Sequence, residues 1–234
     1  MAQDESKRLQ VAEHLKRAIA FKDAQKFESA LLCLDEALKL QENNQDALVI
    51  KALILGRLGK STESLQCYDK ILQNDPSSVN AWHLKAATYA TINQYQQAVD
   101  CDKRAAQLDP SSSKIQLSLA SSFAKLNQYD QAIGCYNVAL KNNSGDPKIY
   151  YLIGIAYGNK GYYQEALQNF EIALKLKPDY ANAVLGKGVS LAKLGRVDEA
   201  KECAQKALKM QPLPQKDEQF NPLKPGFKKE YRGQ

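Results

Sequence analysis

At 234 residues, with 44% hydrophobic and 25% charged side chains, the chain has the composition of a folded soluble protein and not of a disordered or fibrous one. Its net charge of +6 is the balance of 32 basic and 26 acidic residues that are mostly interspersed. Such a mixed, solvated surface argues against nucleic acid as a partner, and no apolar run approaches the length of a membrane span, which argues against membrane insertion.

Residues 1–10 carry Asp4, Glu5, Lys7 and Arg8 and no apolar core, so they do not form a secretory signal and read as a lead-in to a first helix. The expected compartment is cytoplasmic, and the five cysteines are expected to be thiols. From Val11 onward the same residue types return every 34 positions, which divides the chain into six units: 11–44, 45–78, 79–112, 113–146, 147–180 and 181–212. Each unit holds two stretches of helical apolar periodicity separated by a short break, so each predicts a helical hairpin.

Within a unit the first helix carries a small residue at its eighth place, Ala18, Ala52, Ala86, Ala120, Gly154 or Gly188, where two helix backbones can approach closely. Three residues later comes bulk: Phe21, Leu55, Tyr89, Phe123, Tyr157 or Leu191, one turn along the same face. The break holds Gly59, Asn93, Asn127, Gly161 and Gly195, residues that accept the left-handed conformation ending a helix, with Gln25 the exception in the first unit. The second helix repeats the device, with Ala30, Ser64, Ala98, Ala132, Ala166 and Ala200 as the small column and Leu34, Tyr68, Tyr136 and Phe170 as the large one. Asp102 and Ala204 break that large column. Pro76, Pro110, Pro178 and Pro212 close their units, with Glu42 and Ser144 in place of proline. The second unit is the weakest copy, with Leu55, Ser61, Ser64 and Ile71 at the recurring places, and is expected to be the softest.

These residues resemble the tetratricopeptide repeat family, whose pattern is fullest in the fifth unit: Tyr150, Ile153-Gly154, Tyr157, Ala166, Phe170, Ala173 and Pro178; Trp82 supplies the aromatic opening of the third. The resemblance implies an all-α fold, a right-handed superhelical α-solenoid of six hairpins whose first helices line a concave face. It also implies two ways of holding peptides, and neither is present. The carboxylate-gripping places hold Leu15, Ile19, Ile50, Asn80 and Leu84, and the asparagine ladder places hold Lys16, Ile50, Leu84, Ser118, Leu152 and Gly186.

The fifth and ninth places of each first helix are the candidate partner groove: Leu15 and Ile19, Val49 and Leu53, His83 and Ala87, Leu117 and Ser121, Tyr151 and Ile155, Leu185 and Val189. All but His83 and Ser121 are apolar, so the apolar stripe is wider than one core face needs. Two readings stand side by side: these side chains are buried between neighbouring first helices, or they floor a groove for an amphipathic helix or an extended apolar segment of a partner protein.

Cys33, Cys67, Cys101, Cys135 and Cys203 share one place in their units and form a ladder, read mainly as small apolar residues with redox sensing as the alternative. Rungs one repeat apart are too distant for a disulfide, and no pair has zinc-ligand spacing. His14 and His83 have no evident catalytic partners, and no phosphate-cradling glycine loop is present. The expectation is a protein without catalytic residues, cofactor or metal.

After Pro212 the pattern ends. Residues 213–234 contain Pro214, Pro222 and Pro225 and space Phe220, Leu223, Phe227 and Tyr231 among basic residues. The segment is either a solvated end or an anchor that folds onto the sixth unit, another subunit or an acidic surface such as a cytoskeletal or ciliary polymer. The leading functional expectation is a scaffold that holds partner proteins in a larger assembly. The alternatives are a co-chaperone or transport adaptor that binds transiently, or a regulatory subunit of an enzyme encoded elsewhere; self-association through the sixth unit is a further expectation.

Overall fold

A computed structural model describes residues 2–142 and 145–210. Among them twelve helices and no strand occur, paired as α1 (Ala2–Asp23) with α2 (Phe27–Leu40), α3 (Gln45–Arg57) with α4 (Ser61–Asn74), α5 (Val79–Thr91) with α6 (Tyr95–Leu108), α7 (Ser113–Lys125) with α8 (Tyr129–Asn142), α9 (Pro147–Asn159) with α10 (Tyr163–Leu176), and α11 (Ala181–Lys193) with α12 (Val197–Lys209). Each hairpin packs within itself, and its second helix packs against the first helix of the next unit, the nearest-neighbour arrangement of a solenoid. The lead-in of residues 1–10 proves to be helical from Ala2, continuous with α1.

The turns inside the hairpins are encoded locally. Gly59, Asn93, Asn127, Gly161 and Gly195 all have positive φ, and so does Gln25, at 57°. At each turn the following residue's N–H donates back to the carbonyl five residues earlier, as Lys60 does to Leu55 at 2.9 Å and Lys26 to Phe21 at 2.8 Å. These are Schellman caps, which satisfy carbonyls orphaned at the helix end. Gln25 therefore takes the same conformation as its glycine and asparagine counterparts, held by the same hydrogen bonds despite its Cβ. Two of the unit junctions use side-chain caps instead: Asn44 Oδ1 accepts from Ala47 N–H at 2.9 Å, and Asp146 Oδ1 from Lys148 N–H at 2.8 Å ahead of Pro147. Trp82 Nε1 donates to the Pro76 carbonyl at 3.0 Å, tying the aromatic opening of one unit to the proline closing the one before.

Core packing follows the small and large columns. Ala18, Ala30, Ala52, Ala86, Ala98, Ala120, Ala132 and Ala166 are wholly buried, beside Leu34, Tyr68, Tyr136 and Phe170. The ring of Phe170 lies so close to α9 and α11 that a Cβ on Gly154 would stand 2.7 Å from it and one on Gly186 2.6 Å. The departures in the second unit are absorbed: Leu55 and Ile71 are buried, and Ser64 Oγ donates to the Ala52 carbonyl at 2.8 Å. Pro212, Ser144 and residues 213–234, including the anchor residues Phe220, Leu223, Phe227 and Tyr231, lie outside the described residues.

Candidate functional site

The first helices present the face expected to meet a partner, and among the described residues their C-terminal halves open into recesses, two of which bear on that face. The larger, about 570 Å³, is shared by three successive first helices and α4. Leu53, Leu84, Ala87 and the Tyr68 ring form its apolar part, while Lys22, Asp23, Arg57, Thr88 and Thr91 stand around it. Tyr68 is buried, which pushes its phenol up to about 12, so it presents a neutral ring. Thr88 and Thr91 turn their hydroxyls back onto the carbonyls of Leu84 and Thr88. The smaller recess, about 80 Å³, lies two units further on, between Ser121, Lys125, Tyr136, Leu152, Ile155 and Asn159.

The twelve sequence-derived groove residues divide. Leu53 and Ala87 line the larger recess and Ser121 and Ile155 the smaller. Ile19 and Leu53 are exposed, at 41% and 44%. Leu15, Val49, Leu117, Leu185 and Val189 are half-buried, the first three packed against the cores of their own hairpins. His83 and Tyr151 are a correction to the groove as read from sequence, because both are buried and offer it almost no surface. Tyr151 is drawn inward by its ring neighbours Phe170 and Tyr180, at centroid distances of 6.0 and 5.1 Å. His83 is drawn inward by Asp102: Nδ1 stands 2.9 Å from Oδ1 of a carboxylate that is itself 0% exposed. The second carboxylate oxygen, Oδ2, is buried without a partner among the described residues.

Sequence reasoning missed the walls of the recesses at the twelfth and thirteenth places of the first helices, among them Lys22, Asp23, Arg57, Thr91, Lys125 and Asn159. It also missed a ladder of ion pairs between units: Lys51 to Asp35 at 2.6 Å, Lys85 to Asp69 at 2.5 Å and Lys187 to Glu171 at 2.8 Å. A signal was available for the ladder. A carboxylate at the twenty-fifth place of one unit coincides with a lysine at the seventh place of the next, whereas Lys103 and Asn137 are followed by the apolar Leu119 and Ile153.

The cysteines are all free thiols, three buried and two half-buried. Burial pushes Cys67, Cys135 and Cys203 up from the ordinary thiol range and Cys101 up to about 11, so at neutral pH these four are protonated and poorly nucleophilic. Among the described residues no group of three or more His, Cys, Asp or Glu side chains is placed to hold a metal ion, and no helix is long and apolar enough to cross a membrane.

Comparison with known proteins agrees with this architecture. The family model described as the Psidin N-terminal TPR repeats region matches residues 18–156, more than half of the chain, and a second model, described as a tetratricopeptide repeat, matches residues 151–214. The chain belongs to the tetratricopeptide repeat family. Among solved structures, the MamA protein is 23% identical with a TM-score of 0.68, over 73% of this chain and 93% of MamA. YrrB, described as a TPR protein with an unusual peptide-binding site, is 24% identical with a TM-score of 0.66, over 77% of this chain and 93% of YrrB. The pilF protein of Pseudomonas aeruginosa is 16% identical with a TM-score of 0.69, over 88% of this chain and 94% of pilF. At these identities the likeness is one of fold. No curated protein matches the chain. The shared fold is that of a protein-protein interaction module.

Proposed function

We propose that this chain is a non-enzymatic scaffold that holds a partner protein by seating an apolar or amphipathic segment across its first helices. The observation that carries this reading is the larger recess: three successive first helices contribute to one open hollow, with Leu53, Leu84 and Ala87 supplying apolar surface that no residue of the hairpins covers. A hollow shared by three units suits an elongated ligand better than a compact metabolite. The alternative of a transient adaptor uses the same groove and differs in residence time.

The test is to immobilise the chain and a Leu53→Asp variant, expose both to extract from the source cells, and identify what each retains by mass spectrometry. Leu53 is 44% exposed, so the helical circular dichroism should be unchanged. The expected outcome is one or a few proteins retained by the unaltered chain and lost with the aspartate. An identical set on both columns would overturn the groove as the binding surface, and a fast exchange of the retained protein would favour the adaptor over the scaffold.

A further inference from the structure

The two recesses share a pair of features, although the larger also takes in Lys22, Asp23 and Gln25 of the first hairpin. Each is walled on one side by a cation that ends a first helix, Arg57 in the larger and Lys125 in the smaller. Each is also lined by the neutral residue ending the next first helix, Thr91 or Asn159. Arg57 and Lys125 occupy the same place in units two apart, and neither has an ion-pair or hydrogen-bond partner among the described residues. That sets them apart from Lys51, Lys85 and Lys187, whose charges are consumed by the inter-unit ladder. The helix dipole favours a cation at a helix C-terminus but does not require one, since α5 ends in Thr91 and α9 in Asn159. The carboxylate of the larger recess, Asp23, lies 3.1 Å from Lys22, and the smaller recess has none. Apolar floors thus alternate with uncompensated positive charge along one face.

We infer, resting on the groove reading above, that the occupant is an acidic amphipathic segment of a partner protein. Its apolar side chains enter the two recesses and its Asp or Glu carboxylates reach Arg57 and Lys125. Two unit spacings at helix-packing distance separate the cations by roughly 20 Å. A helix covers that span in about 13 residues at 1.5 Å each, so the segment carries two acidic-apolar clusters about that far apart if helical. Opposite charge on the walls steers the segment and fixes its register, while the recesses supply the contact area.

The experiment measures fluorescence anisotropy of a labelled leucine-glutamate amphipathic peptide and of its leucine-lysine counterpart against the chain at low and high salt. A labelled single-stranded DNA oligonucleotide serves as a third probe. The glutamate peptide is expected to bind about tenfold more tightly than the lysine peptide, a preference that shrinks in high salt and disappears in the R57E/K125E variant. Equal affinity for the two peptides, with both lost in Leu53→Asp, would overturn the charge inference and leave the groove standing. No binding of either peptide, or binding indifferent to Leu53→Asp, would overturn the groove reading and this inference with it. Tighter binding of the DNA, lost in R57E/K125E, would assign the cations to a nucleic acid and overturn the proposal.

Discussion

In the fifth hairpin the large residue of the second helix is Phe170, 2% exposed, with its ring pressed between Gly154 and Gly186 and edged by Tyr151. In the third hairpin the same place holds Asp102, 0% exposed, and the room an aromatic ring takes elsewhere is shared with the imidazole of His83. The helices around the two sites have the same lengths, and both hairpins turn through a left-handed residue with the same pair of backbone hydrogen bonds. The contrast shows what the repeat specifies. Caps and small residues set the backbone, and the filling between them is free to change chemistry if its volume and polarity are met. In the fifth hairpin they are met by dispersion and apolar burial. In the third, one carboxylate oxygen is satisfied and the other has no partner among the described residues.

The largest expected effect breaks the fifth hairpin. Phe170→Ala removes a ring buried against two glycines that cannot grow to fill the space without rearrangement, and should cost about 3–5 kcal/mol. Urea denaturation followed by circular dichroism measures it. A loss below about 1 kcal/mol would mean that α9 and α11 collapse onto the gap, and that the close glycine contacts are not a packing constraint.

The third hairpin should respond differently. His83→Leu leaves Asp102 with neither oxygen partnered among the described residues, and stranding a buried hydrogen-bonding group costs about 1–3 kcal/mol. The double variant His83→Leu, Asp102→Leu replaces the pair with apolar volume and should recover most of that loss, since replacing both partners of a buried hydrogen bond by apolar groups can be nearly neutral or stabilising. A double variant no more stable than His83→Leu would show that the pair supplies more than filling. It would then be a feature to explain by function.

The two hairpins also differ in how much of them could be read from the chain alone. The glycine and aromatic columns of the fifth are local in sequence, so its hairpin, its caps and the burial of Phe170 follow from the repeat. Asp102 was visible as a break in the large column, but its partner was not. His83 occupies a groove place, and only the way α5 packs on α6 brings its ring to the carboxylate. Gln25 was legible as a turn but not as a left-handed residue, because its type gives no sign of φ and only its alignment with Gly59 and Asn93 does. The recesses were half legible. The ninth-place residues Leu53, Ala87, Ser121 and Ile155 do line recesses, yet Arg57 and Lys125 lie a further turn along, beyond the stripe that apolar periodicity marks.

The smallest effect concerns two seams between units, one beside the third hairpin and one beside the fifth. The junction of the second and third units carries the Lys85–Asp69 pair, whose lysine side chain is 14% and aspartate 49% exposed, while at the corresponding places of the fourth and fifth units stand the neutral Asn137 and Ile153, and that junction's ion pair, Lys160–Asp130, lies elsewhere. Asp69→Asn should cost about 0.5 kcal/mol, within the range for half-exposed pairs, and the cost should fade as salt screens the interaction. Asn137→Ala, at the same place in its unit, should show no salt-dependent loss, because the neutral amide makes no ion pair among the described residues. Urea midpoints of both variants at low and high salt separate the two contributions. If Asp69→Asn is as salt-independent as Asn137→Ala, then the packing of α4 against α5 holds that seam, and the charge beside it does not.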